Sequence, residues 1–359
     1  MNRYELWLNS SKLCCNTIDK LLDKFQDEKN LWEYSIKNNN KDRIINNRTQ
    51  TILERTWNAD KFENLESFLK TSEIKFITYK EELFPRRLKN IKDMPYSLFY
   101  LGDIETLNKF TCVSVVGARN NSIYGENVSK LIAKELVKNN INVISGMARG
   151  IDSFSHIGTL NNNGFTCAIL GSGIDIIYPY ENKNLYHKIA EKGCVISEFP
   201  LGTKPLATNF PQRNRIISGL SDLVIVVEAK FRSGSLNTAN HGGDQSRTVM
   251  AVVGSILSPL SFGCHEAIRN GAKPIYCMED IFEELKMDYS NGNISNTFND
   301  FNKEQEKIYS ILSDYPLHID ELYRKSHIDI KELYGVLFEL QMKNEIECIK
   351  GNYYKRKTS

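Results

Sequence analysis

The 359 residues carry 46 Lys+Arg against 44 Asp+Glu, a formal net charge of +2, with 41% hydrophobic and 10% aromatic residues. That length exceeds one ordinary domain, the apolar share supports packed cores over an extended chain, and the near-neutral balance confines any anion-binding surface to a local patch. No stretch reaches the ~20 apolar residues that span a bilayer, and the opening MNRYELWLNS lacks a signal peptide's apolar run, so a soluble, unexported, cytoplasmic protein with no membrane partner is expected.

Eight cysteines, at 14, 15, 112, 167, 194, 264, 277 and 348, form no Cys-x-x-Cys pair and mostly lie in apolar runs. Buried, reduced thiols and no metal site are expected. Residues 1 to about 75 read as helical, with Ile18, Leu21, Leu22 and Phe25 at helical spacing. Asn-rich stretches at 38–41, 46–47 and 161–163 read as solvated loops.

From about residue 111 short β-branched runs alternate with helical patterns and Gly-rich turns. Segments 113–116, 142–145, 166–170, 194–197, 223–227 and 248–252 read as strands; 124–138, 150–160, 182–191 and 262–270 read as helices between them. Parallel strands need such helical crossovers, so the pattern predicts a doubly wound α/β sheet with its ligand at the carboxyl ends of the strands. The polar stretch 288–300 reads as a linker. Helices at 304–312, 319–325 and 329–342, followed by a hairpin of 345–349 and 352–356 around Gly351, read as a winged helix.

The turns after the strands hold the candidate chemistry. Gly117 lets backbone approach a ligand, the following helix start can hold an oxyanion, and Arg119 adds a planar fork suited to phosphate. Gly146, Arg149 and Gly150 make a second Gly/Arg turn; Asp152 and His156, four apart, read as holders of that turn, with an acid/base pair as the alternative. Tyr178 and Tyr180 can stack bases and Lys183 can meet a backbone. Phe210 precedes Arg213 and Arg215, two cations whose place near a helix start opposes the dipole unless an anion or carboxylate sits there; Glu228 is a possible partner. Ser233, Gly234 and Ser235 open another helix. No nucleophile elbow, P-loop lysine or metal spacing accompanies these turns, which points to binding over turnover, with no catalytic residue and no cofactor.

Taken in order, Gly117-Ala118-Arg119, Ser145 to Asp152 with His156, Gly173-Ile174-Asp175 with Tyr178-Pro179, Ser197 to Pro200, Phe210-Pro211 with Arg213-Asn214-Arg215, Glu228-Ala229 and Ser233 to Leu236 resemble the DNA-processing protein A (DprA/Smf) family over about residues 79–278. The resemblance implies a Rossmann-like core that binds single-stranded DNA in a basic pocket, dimerises, and delivers the strand to the recombinase RecA in natural transformation. The pocket residues it implies are Gly117, Arg119, Gly146, Arg149, Gly150, Lys183, Arg213, Arg215 and Ser233–Ser235, with Tyr178, Tyr180 and Phe210 as stacking surfaces. The domains so implied are a loosely matched SAM-like helical segment at 1–78, the core at 79–287, the linker at 288–300 and a winged helix at 301–359.

The tail carries ten basic and ten acidic residues from 301 to 359, which leaves duplex binding and protein contact as equal readings. Where the family continues an Ala-containing helix, this chain has Asn240-His241-Gly242-Gly243-Asp244, and paired glycines cost roughly 2 kcal/mol of helix stability. A short or broken helix is expected there. Two rivals to the strand-binding reading share the phosphate cradle: a nucleotide-hydrolysing enzyme of the related phosphoribohydrolase-like superfamily, whose loop glutamate has no counterpart in Ser233 to Thr238, and a small-nucleotide sensor.

Overall fold

A computed structural model describes residues 1–37, 44–287, 301–343 and 345–357. The Asn-rich reading at 38–41 and the linker reading at 288–300 lie outside the described residues. The chain divides after Met287 into two compact units.

The first unit opens with helices α1 (Arg3–Ser11), α2 (Cys15–Phe25), α3 (Glu28–Trp32), α4 (Asn47–Thr56) and α5 (Ala59–Thr71). Asn2, Asp27, Asn46 and Asn58 cap four of them, each accepting a hydrogen bond from a first-turn amide. Of the Asn-rich stretches read as solvated loops, Asn46 is thus a helix cap and Asn47 opens α4. Trp7, Trp32, Trp57 and Phe62 pack ring against ring between these helices, and Trp7 Nε1 donates to the carbonyl of Leu53 at 3.0 Å. The bundle joins the rest of the unit through Asn9, whose Nδ2 donates to Ser97 Oγ and to the carbonyl of Glu198, each at 3.0 Å.

Strands β1 (Lys75–Thr78) and β2 (Ser97–Gly102) follow, with α6 (Thr106–Lys109). The alternating region then runs β3 (Cys112–Val116), α7 (Ile123–Lys138), β4 (Asn142–Gly146), α8 (Ile151–Asn161), β5 (Thr166–Ile169), α9 (Lys183–Lys192), β6 (Cys194–Ser197), α10 (Asn209–Gly219), β7 (Leu223–Val226), α11 (Gly234–Asp244), β8 (Thr248–Val252), α12 (Phe262–Arg269), β9 (Lys273–Ile275) and α13 (Glu279–Glu284). Nine strands pair in the order β1-β2-β6-β5-β4-β3-β7-β8-β9. From β6 to β9 every pairing is parallel, while β1–β2 and β2–β6 are antiparallel. Strands β3, β5 and β7 bury both faces, as their apolar runs require, while β8 and β9 toward the sheet edge are only partly buried. The expected Rossmann-like, doubly wound sheet is the one observed. Its antiparallel extension was not expected from the sequence: β1 falls at the end of the helical segment assigned to 1–78, and β2 lies before the alternating pattern that begins near residue 111.

Helix α11 differs from expectation. It runs unbroken through both glycines to Asp244. A Cβ on Gly242 would lie 3.0 Å from Val224 Cγ2 and 3.2 Å from Val249 Cγ2. The bare backbone thus lets the helix lie close on β7 and β8, and that packing outweighs the low propensity.

The second unit holds α14 (Lys303–Ile311), β10 (Leu317–His318), α15 (Ile319–Ser326), α16 (Ile330–Met342), β11 (Ile346–Ile349) and β12 (Tyr353–Arg356), with strand order β10-β12-β11. Ile308, Leu322, Leu333, Leu337 and Leu340 form its core. This is the expected winged helix, with one further short strand.

Candidate nucleic-acid interface

Strands β3 and β7 are neighbours, yet the chain leaves β3 toward β4 and leaves β7 toward β8. Departures in opposite directions open a crevice at the carboxyl ends of the two strands, the place where doubly wound sheets take ligands. A cleft of about 720 Å³ lies there. Its walls come from the turn after β3 (Gly117, Arg119, Asn120), the loop carrying Tyr178, the start of α10 (Phe210, Pro211, Arg213, Asn214) and the segment Lys230–Ser235.

The rings and cations interleave. Phe210 lies against Gly171, where a Cβ would come within 2.8 Å of the ring. The Phe210 ring centroid is 5.9 Å from that of Tyr178, 5.4 Å from the Arg119 guanidinium carbon and 5.9 Å from that of Arg213. Arg119, Lys230 and Arg232 are exposed, whereas Arg213 is only 4% exposed. Arg213 Nη1 donates to the carbonyl of Ile169, its Nε donates to Asn214 Oδ1 at 3.2 Å, and Asn214 Nδ2 donates to the carbonyl of Gly234 at 3.2 Å. That chain of bonds fixes the start of α11 relative to β5 and α10. Burial lowers the Arg213 guanidinium to about 10, a shift that Asp152 opposes and Arg119 reinforces.

Two carboxylates alter the cradle expected from the glycine turns. Asp152, buried, accepts from the backbone amides of Gly117 and Ala148. Glu228 accepts from the Ser122 amide at 2.9 Å and from the Ser122 hydroxyl, at the start of α7. The amides expected to hold an oxyanion after β3 are therefore held by the protein's own acids, and Glu228 serves a helix start, not an arginine. Gly146 and Gly150 lie buried beneath the cleft; a Cβ on Gly146 would meet Arg213 Nη1 and Asp152 Oδ2 at 2.5 Å. The start of α11 is different: Gly234 is exposed and a Cβ there would meet nothing within 4 Å.

Arg215 also departs from the expected cluster. It turns to the opposite side of α10 and pairs with Glu198, both side chains mostly buried. The carboxylates anticipated near these arginines are thus internal. Arg149 shares a small pocket with Tyr178 and Phe210 and pairs with exposed Glu181 at 3.6 Å. Tyr180 and Lys183 stand beyond the cleft wall, with the Lys183 ammonium 5.7 Å from the Tyr180 ring. Lys230 and Arg232 were missed as site residues; the readable signal was two cations just before a Ser helix cap, while Arg232's left-handed backbone (φ 58°) was not readable.

His156 and Asp152 hold the turn. His156 Nδ1 lies 2.6 Å from Thr166 Oγ1 and Nε2 lies 2.7 Å from the carbonyl oxygen of Gly146, with the ring fully buried. Burial lowers His156 to about 4 and raises Asp152 to about 6. As pH falls from 7 to 4, His156 subtracts stability, because the unfolded ring protonates first. Asp152 adds stability, because its folded carboxyl protonates first. Asp152→Asn leaves the histidine loss unopposed, so relative to wild type the variant is expected to lose about 3 kcal/mol on acidification to pH 4, read from urea midpoints at pH 7, 5.5 and 4.

Among the described residues no helix is long and apolar enough to cross a membrane, and no cluster of His, Cys, Asp and Glu could hold a metal ion. The model for the family described as DNA recombination-mediator protein A matches residues 75–286, and that for the DprA winged helix domain matches residues 300–352. The chain is 43% identical over 207 residues to the DNA processing protein DprA of Streptococcus pneumoniae, covering 57% of this chain and 72% of that protein. It is 36% identical over 282 residues to Protein Smf of Escherichia coli, covering 76% and 75%. The X-ray structure of the S. pneumoniae protein superposes with a TM-score of 0.67 at 32% identity, over 81% of this chain and 99% of that one. A structure of DNA processing protein A from Helicobacter pylori, described for its single-stranded DNA binding mode, gives 0.55 at 26% identity over 61% and 99%. With the core and the winged helix both matched and the sheet, the switch-point cleft and the ordered turns in place, this chain belongs to the DNA recombination-mediator protein A family, the DprA/Smf proteins.

Proposed function

We propose that the cleft between the turns after β3 and β7 binds single-stranded DNA, and that the protein, as a cytoplasmic homodimer without catalytic activity, delivers the strand to RecA during recombination. The observation that carries the reading is the wall of the cleft. Exposed Arg119, Lys230 and Arg232 surround the open start of α11 at Gly234, and the Phe210 and Tyr178 rings lie alongside. Cations and a helix start neutralise phosphates without reading sequence, and aromatic faces stack any base. Family membership and the single-stranded DNA binding described for the H. pylori relative support the same ligand. RecA and the dimer are carried over from the family. Arg119, Tyr178, Phe210 and Ser233–Ser235 form the contact surface; Arg149, Tyr180 and Lys183 extend it along the flank; Gly117, Gly146, Gly150 and Arg213 shape it from beneath.

Anisotropy of a labelled oligonucleotide tests this. Arg119→Ala is expected to weaken binding about tenfold, near 1.4 kcal/mol, and to reduce the slope of log K against log salt by ~0.7 for each phosphate no longer neutralised, with the thermal midpoint unchanged. Unaltered affinity and slope would overturn the placement. Incubation with nucleoside monophosphates should return them intact; release of free base would favour the phosphoribohydrolase-like reading.

A further inference from the structure

In a winged helix that reads duplex DNA, the second long helix presents basic and hydrogen-bonding side chains to the groove. Helix α16 presents something else. Ile330, Tyr334 and Phe338, at i, i+4 and i+8, are 38%, 47% and 63% exposed and form one apolar stripe. The adjoining exposed stripe is Lys331, Gly335 and Glu339. A glycine inside a helix costs about 1 kcal/mol against alanine. Gly335 has no internal reason for it, because a Cβ there would meet nothing within 4 Å. Aromatic side chains around a bare stretch of helix suit the close approach of a second helix, not a phosphate backbone.

The charges indicate which helix. Lys331 and Glu339 stand four residues either side of Gly335, about 6 Å along the axis in each direction. Two copies of α16 crossing antiparallel at Gly335 lay Lys331 of each against Glu339 of the other, so one face complements itself twice over. The same crossing brings Tyr334 of each copy toward the glycine of its counterpart and covers both apolar stripes. Glu339 already accepts a hydrogen bond from Gln305 Nε2, which holds its carboxylate in place from α14. We propose that α16 is a self-association surface through which winged helices of two copies of this chain pair about a two-fold axis at Gly335. It belongs to the second unit, whereas the nucleic-acid cleft is built from the first.

Disulfide trapping in the full-length protein without DNA tests the pairing. With the exposed Cys14, Cys277 and Cys348 changed to serine, Gly335→Cys places a thiol on the proposed axis, where two Cβ atoms can come within the ~3.5–4.5 Å a disulfide needs. The expected result is a covalent dimer on a non-reducing gel, absent when the thiol is placed by Glu321→Cys on α15. Adding Phe338→Glu or Lys331→Glu to the Gly335→Cys chain should abolish the dimer, and Lys331→Glu with Glu339→Lys should restore it. No dimer from Gly335→Cys, or a dimer indifferent to both stripe substitutions, overturns the proposal while leaving the DNA-binding reading untouched.

Discussion

Gly150→Ala is expected to destabilise the protein by on the order of 4 kcal/mol, the largest effect of any single methyl at this site. Gly150 caps α8 at φ 80° and ψ −134°, a conformation that residues with a Cβ adopt only under strain. Space compounds the strain: the Cβ would lie 2.2 Å from the carbonyl oxygen of Ala118 and 2.7 Å from that of Arg119. Neither neighbour is a flexible side chain, so the turn carrying Arg119 must move, and oligonucleotide affinity should fall with stability. Gly234→Ala provides the contrast. With nothing near its Cβ, it should leave the denaturation midpoint within about 0.5 kcal/mol of wild type. A mild Gly150→Ala would mean that the turns after β3 and β4 are not locked together.

The second large effect is on the ion pair. Arg215→Ala is expected to cost about 3 kcal/mol, the lower end for removal of one partner of a buried pair, since roughly 15% of each side chain remains open to solvent. Glu198 would be left as an unpaired carboxylate in a site whose burial already raises it above the ordinary range. A raised folded-state value means stability is gained as pH falls and lost as pH rises through it, so the variant should recover partly on acidification. Glu198→Gln in the same chain should return most of the loss at neutral pH by removing the stranded charge. Affinity for an oligonucleotide, corrected for folded fraction, should change little. Arg119→Ala shows the opposite signature, and the pair of variants separates a cation that touches ligand from one that holds the fold. A large affinity loss in Arg215→Ala at full stability would return Arg215 to the contact surface.

That contrast marks where reading the chain sufficed. The alternation of β-branched runs with helical patterns identified β3 to β8 to within a residue or two, because strands inside a parallel sheet are covered on both faces and run apolar; the edge strand β9, Lys273–Ile275, is partly exposed and was missed. The winged helix was equally legible from helical spacing and the Gly351 hairpin. Strands β1 and β2 were not, since Lys75–Thr78 gains its strand character from pairing with Ser97–Tyr100 and carries little pattern of its own. Helix α11 ran through Gly242-Gly243 because a sheet lay close enough to reward a missing side chain.

Local chemistry along the chain marked the side chains suited to phosphate and placed them in the turns that follow strands, since residue type and the strand–turn–helix alternation are both local features. It did not settle which of those cations remain available. Asp152 reaches back to the amide of Gly117, and Glu228 caps a helix 106 residues upstream at Ser122. Glu198, 17 residues upstream, takes Arg215. Whether a buried charge is neutralised depends on distances of a few ångströms between segments that folding alone brings together, and Coulomb energy at those distances outweighs anything residue spacing conveys.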